Sequence, residues 1–154
     1  MVVTPIKVII QEIIFIFLLI TASAIDIRKR IVPNILPMLI FCIGLLTFTP
    51  YKLFGILLGL PLLIGALFAD SNQIGGIGGG DIKFSTSCGF TLGISAGIVG
   101  LIIGLSIFCL WFLILKLYYS VLYKKQLLAN QTSLPMIPFL SVGFIIAYFI
   151  NLYI

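Results

Sequence analysis

Residues 95–117 read SAGIVGLIIGLSIFCLWFLILKL, with a single charge, Lys116, close to the end of the run. A helix needs roughly 20 mostly apolar residues to cross a bilayer core of about 30 Å, so this stretch reads as a transmembrane helix. Five more apolar segments lie around it: about Pro5–Ile25, Asn34–Thr49, Leu53–Ala69, Ile82–Leu92 and Leu134–Ile154. The first and last reach the length of a full span, and the second and third do so by borrowing flanking residues. Ile82–Leu92 is too short to cross unaided; it must tilt or lie inside a bundle, where neighbouring helices surround it. The expected fold is all-α, a polytopic membrane helix bundle of about six transmembrane segments with the fourth short. Residues 1–154 then form a single transmembrane domain, with no room left for a soluble one.

Composition supports this reading. Hydrophobic residues make up 62% of the 154 and charged residues 8%, against about 25% charged in an ordinary soluble domain. That excludes a soluble enzyme, a disordered chain and a coiled coil. Histidine is absent, which removes Ser-His-Asp and Cys-His chemistry. Cys42, Cys88 and Cys109 are scattered in apolar context and form no CxxC, so neither a disulfide framework nor a zinc site is expected. The net charge of +5 does not point to nucleic acid, because the basic residues sit at the ends of apolar runs, where orientation signals belong. With the N-terminus outside, the seven residues Arg28, Lys29, Arg30, Lys83, Lys116, Lys124 and Lys125 face the cytoplasm and only Lys7 and Lys52 face out. The opposite orientation inverts that ratio, so both termini are expected outside. Ala22-Ser23-Ala24 resembles a signal-peptide cleavage pattern, but the basic run Arg28-Lys29-Arg30 directly after it argues against export of that end.

Acid–base chemistry has four carboxylates to draw on: Glu12, Asp26, Asp70 and Asp81. Asp26 closes the first segment and Asp81 opens the fourth, so both are expected at the same, inner, membrane depth. That is the minimum requirement for a carboxylate pair. Glu12 lies 14 residues before Asp26, roughly 21 Å along a helix, and so belongs to the opposite leaflet. Asp70 reads as a solvated loop acid. The loop before Asp81 holds Gly75, Gly76, Gly78, Gly79 and Gly80, which permits another backbone to approach the acid closely. Lys83, two residues on, suits three roles: lowering the proton affinity of the pair, anchoring a substrate backbone, or marking the inner interface. Arg28 suits pairing with Asp26 or an orienting role alone. Leu115–Lys125, rich in Tyr and Lys, suits an inner interfacial belt.

Asp26-Ile-Arg28-Lys-Arg-Ile-Val-Pro33-Asn34, followed later by Gly78-Ile-Gly80-Asp81-Ile-Lys83, resembles the type IV prepilin peptidases, members of the GxGD aspartyl membrane proteases. Leu134-Pro-Met-Ile-Pro-Phe-Leu140 is similar to that family's approach to its last helix, with Met136 and Ile137 in place of Phe-Gly. The resemblance runs from Ala24 to Gly143. It implies an aspartic endopeptidase that removes a short basic leader from prepilin or pseudopilin precursors at the cytoplasmic membrane face. Asp26 and Asp81 would be catalytic, supported by Gly78, Gly80, Lys83, Arg28, Pro33 and Asn34. No cofactor is implied, and the partners would be the precursor and the bilayer. Full-length members carry an insert with paired CxxC motifs linked to N-methylation; this chain resembles the short, peptidase-only form, so methyl transfer is not expected. A small transporter or a non-catalytic pilus or secretion subunit is the alternative. The first is disfavoured because the motif acids lie at the inner edge and no inverted repeat is visible, the second because both acids are present.

Overall fold

The computed structural model describes residues 5–68, 78–122 and 134–153, and every regular element in them is helical. Helix α1 (Pro5–Lys29) opens on a proline, whose missing N–H costs nothing at a first helical position. It closes on Arg28 and Lys29, which complement the helix dipole. Arg30 then takes a left-handed conformation (φ 53°), its N–H bonding the Asp26 carbonyl at 2.8 Å, and turns the chain back toward the bundle. Helix α2 (Ile35–Gly44) starts where the carbonyls of Pro33 and Asn34 accept from Leu36 and Met38. It runs on through one 3-10 turn, Leu45–Thr47. A second 3-10 stretch, Pro50–Leu58, leads without a break into α3 (Gly59–Phe68). Helix α4 (Gly79–Leu92) and helix α5 (Ile94–Leu122) are separated by Gly93 alone, whose φ of 86° suits glycine and ends the first of them. Helix α6 is Ile137–Tyr153.

The six expected segments are all present as helices, with shifted ends. α1 continues past Ile25, so Asp26 lies inside the helix and not in the loop after it. The third segment begins at Pro50, ahead of Leu53. The fourth begins at Gly79, so Gly79, Gly80 and Asp81 form a first helical turn where a loop was expected. Three helical stretches are long and apolar enough to cross a membrane, Val8–Lys29, Pro50–Phe68 and Ile94–Tyr118, beside the shorter apolar Ile35–Thr47 and Ile137–Ile150. α1 shows the two-sided pattern of a bundle helix. Phe15, Leu19 and Ala22 are buried, while Ile13, Phe17 and Ile20 are exposed on the outside, where an apolar surface suits lipid.

α4 resolves the question its length raised. It sits inside the bundle, packed against α2, the Pro50–Leu58 stretch, α3, α5 and α6, with Phe84, Cys88 and Phe90 fully buried. The approach is closest where Gly55 meets Gly89: a methyl group on Gly55 would lie 2.0 Å from the Gly89 carbonyl oxygen. α5 and α6 cross as tightly, at Gly104 and Gly143. Small residues let membrane helices come close enough for backbone contact. At the end of the bundle away from Asp26, Gln11 accepts from Thr47, which accepts from Lys52, and Tyr148 bonds the half-buried Glu12. Glu12 thus has a local partner on α6, far along α1 from Asp26.

Candidate active site

Two helix N-termini meet the end of α1. α6 begins at Ile137, and its first amide has no partner within its own helix. That amide donates to Asp26 Oδ2 at 3.1 Å. Asp26 is only 5% exposed, so this bond satisfies a carboxylate that water barely reaches. One turn deeper, Ser23 Oγ donates to Ser141 Oγ at 2.9 Å and pins the same two helices. α4 begins after Gly78, which has extended backbone, and Asp81 is the third helical residue. The Asp81 N–H donates to the Gly78 carbonyl at 3.0 Å, and the Asp81 carboxyl takes a backbone hydrogen bond from Gly78 in return. The carboxyl reaching back to the N-cap amide is the acidic half of a capping box. Both acids are therefore held by backbone at the start of a helix.

Asp26 and Asp81 line one cleft of about 300 Å³. Its other walls are the α1–α2 linker at Arg30–Val32, Asn34, the glycines Gly78 and Gly80, and the approach to α6 at Leu134–Met136. The two carboxyls feel each other. Burial, first, and then the charge of Asp26 raise Asp81 from the ordinary 3.8 to about 6, against the opposing pull of the Gly78 hydrogen bond. Like charges near one another in a half-dry cleft favour a shared proton.

The supporting residues divide. Gly80 has a spatial reason: a methyl group there would meet Val32 Cβ at 3.0 Å, so glycine lets α4 start against the linker. At Gly78 a methyl group would sit 3.4 Å from Asp81 Oδ2, and at Gly79 it would meet nothing within 4 Å. Lys83 lies on the first turns of α4, two residues after Asp81. It is exposed and donates to Asn34 Oδ1 at 2.9 Å, joining the Asp26–Asn34 motif to the Gly78–Lys83 motif. Asn34 therefore serves as acceptor for that bond and makes no side-chain cap on α2. Pro33 supplies the carbonyl that begins α2. Arg28 is exposed, and among the described residues no ion pair joins it to Asp26. Asp70, Gly75 and Gly76 lie outside the described residues, as do Lys124 and Lys125.

Three features of the cleft escape a reading of the sequence. The Ile137 amide is a backbone group, invisible to any search of side chains, although Pro135 and Pro138 beside it suit a helix start. Arg30 enters the cleft wall only because of its left-handed turn. Val32 reads as a linker residue until Gly80 is placed against it.

The model of the type IV leader peptidase family matches residues 13–115, which includes α1 through most of α5. The chain belongs to that family. No curated protein and no solved structure matches it.

Proposed function

We propose that this type IV leader peptidase family member is a membrane-embedded aspartic endopeptidase, cutting prepilin-like precursors between the Asp26 and Asp81 carboxyls at the cytoplasmic face. The observation that carries the reading is the pairing of the two acids on one cleft, where burial, and then the charge of Asp26, raise Asp81. In the working state the pair holds one proton. The ionised carboxyl takes a proton from a water molecule as its oxygen attacks the scissile carbonyl carbon. The protonated carboxyl donates to the carbonyl oxygen, giving a gem-diol with no covalent bond to the enzyme. Collapse breaks the C–N bond: the amine leaves with a proton from the pair, a gem-diol hydroxyl returns its proton to the pair as the product carboxyl forms, and one shared proton remains for the next cycle. Methyl transfer to the new N-terminus is not part of the proposed activity.

The substrate class is the one the family implies, and the expected depth of the two acids suits it. A precursor with a short basic leader and an apolar helix, seated in the bilayer, presents the junction of the two at the level of Arg28–Arg30. The basic inner face would repel a basic leader at long range, so recognition falls to the helix and to residues beside the scissile bond. The test is cleavage of a co-expressed panel of prepilin-like precursors, read as a mass shift. Asp26→Asn and Asp81→Asn should each abolish cleavage, and Asp70→Asn should retain it. Cleavage that survives either of the first two substitutions would exclude the mechanism.

A further inference from the structure

Four hydroxyl side chains lie on α4, and three of them use the ordinary helical solution of bonding the carbonyl four residues back. Thr86 donates to Ile82 O at 2.8 Å, Ser87 to Lys83 O at 2.9 Å, and Thr91 to Ser87 O at 2.9 Å. Ser85 does not. It is 0% exposed, and its Oγ has no hydrogen-bond partner among the described residues. The carbonyl it leaves unused is that of Asp81. An unpaired hydroxyl in a dry site is costly, and native structures rarely keep one without a role.

Its position supplies the role. Residues four apart share one face of a helix, and side chains lean toward the helix N-terminus. Ser85 is therefore stacked one turn beneath Asp81 on the same side of α4, buried below the cleft and not part of its wall. We infer that Ser85 is a positioning residue for Asp81: with substrate seated between the two acids, its hydroxyl donates to the Asp81 carboxyl and fixes the rotamer that meets the scissile carbonyl. The inference rests on the reading of Asp81 as catalytic and adds a residue to it.

Few other charges share the surroundings of Asp81. Asp26 and Arg30 lie across the cleft, and Lys83 on its own helix is turned to Asn34. Leu134–Met136 at the start of α6 brings none, and Asn34 is the polar residue from the α2 side. Lys52, from the 3-10 stretch, lies at the other end of α4 beside Gly93. Cys88 is buried two turns on, and Lys116 of α5 is exposed. A hydroxyl donor aimed at the carboxylate would therefore register clearly, because a donor favours the ionised form.

The experiment follows cleavage of one purified precursor, bearing a basic leader and an apolar helix, by enzyme in lipid–detergent micelles across the pH range. Ser85→Ala should lower kcat about tenfold, the worth of one hydrogen bond to a charged group, with KM little changed. It should also move the alkaline limb of the kcat profile to higher pH by about one pH unit. Ser85→Thr, which keeps the hydroxyl, should return that limb to its original place. Ser87→Ala, whose hydroxyl is already spent on the Lys83 carbonyl, should leave the limb unmoved. A Ser85→Ala profile superposable on the wild type overturns the inference, and a rise in thermal stability without a kinetic change would mark the hydroxyl as an uncompensated burial only. Asp81→Asn, run in parallel, separates the two levels. If it is inactive while Ser85→Ala is normal, only the role of Ser85 falls. If it cleaves, the aspartyl reading itself falls.

Discussion

At the scale of the residue, the cleft is governed by how two carboxyls are held. Each is tied by backbone amides at a helix start, so neither needs a cation as a partner; Lys83 bonds Asn34, and Arg28 is exposed. The pH dependence follows from Asp81. Its folded value of about 6 lies above the ordinary 3.8, so the native state binds this proton more tightly than the unfolded chain does. The corresponding stability is fully present below about pH 4 and is lost as pH rises through about 6. A thermal-melt series in detergent should show wild type losing stability across that window, with Asp81→Asn nearly flat. Catalysis carries the same signature: kcat/KM, which reports the uncomplexed enzyme, should fall above about pH 6 as the pair gives up its shared proton. Both acids were legible in the sequence, because motif spacing and membrane depth concern side chains. The Ile137 amide that holds Asp26 was not, since a backbone group carries no letter of its own.

Helical elements in this protein are placed by small residues and by side-chain hydrogen bonds between them. Gly79 and Gly80 are adjacent in sequence yet opposite in consequence. Gly79→Ala meets no neighbour and should stabilise α4 by about 1 kcal/mol through helix propensity, with cleavage retained. Gly80→Ala drives a methyl group against Val32 and should lower cleavage by shifting the first turn of α4, on which Asp81 rides. Comparing melting temperature and turnover for the two variants checks the contrast. The Lys83–Asn34 bond is exposed, so its contribution should be modest, below about 1 kcal/mol in a double-mutant cycle of Lys83→Met and Asn34→Ala. Segment count and order could be read from apolar runs. The ends could not: α1 outruns its apolar run by carrying Asp26 to Lys29 as a charged last turn, and α4 recruits two glycines whose propensity argues against helix. Tertiary contact decides both.

For the molecule as a whole, the expected orientation has a direct check. Single cysteines at Arg28 and at Thr49, both exposed and at opposite ends of the bundle, should label from opposite sides of the membrane in a background with Cys42, Cys88 and Cys109 replaced. Labelling of the Arg28 position from the cytoplasm fixes both termini outside; labelling from outside inverts the molecule. The six-helix order puts Asp26, Asp81 and Ile137 on the first, fourth and sixth helices, so the cleft collects its parts from nearly the full length of the chain. The amide that holds Asp26 is therefore made after both acids. A nascent chain halted after α5 already carries both acids, yet it lacks the helix start that fixes one of them. On the proposed function, cleavage therefore depends on α6 being docked on α1, where its first amide holds Asp26.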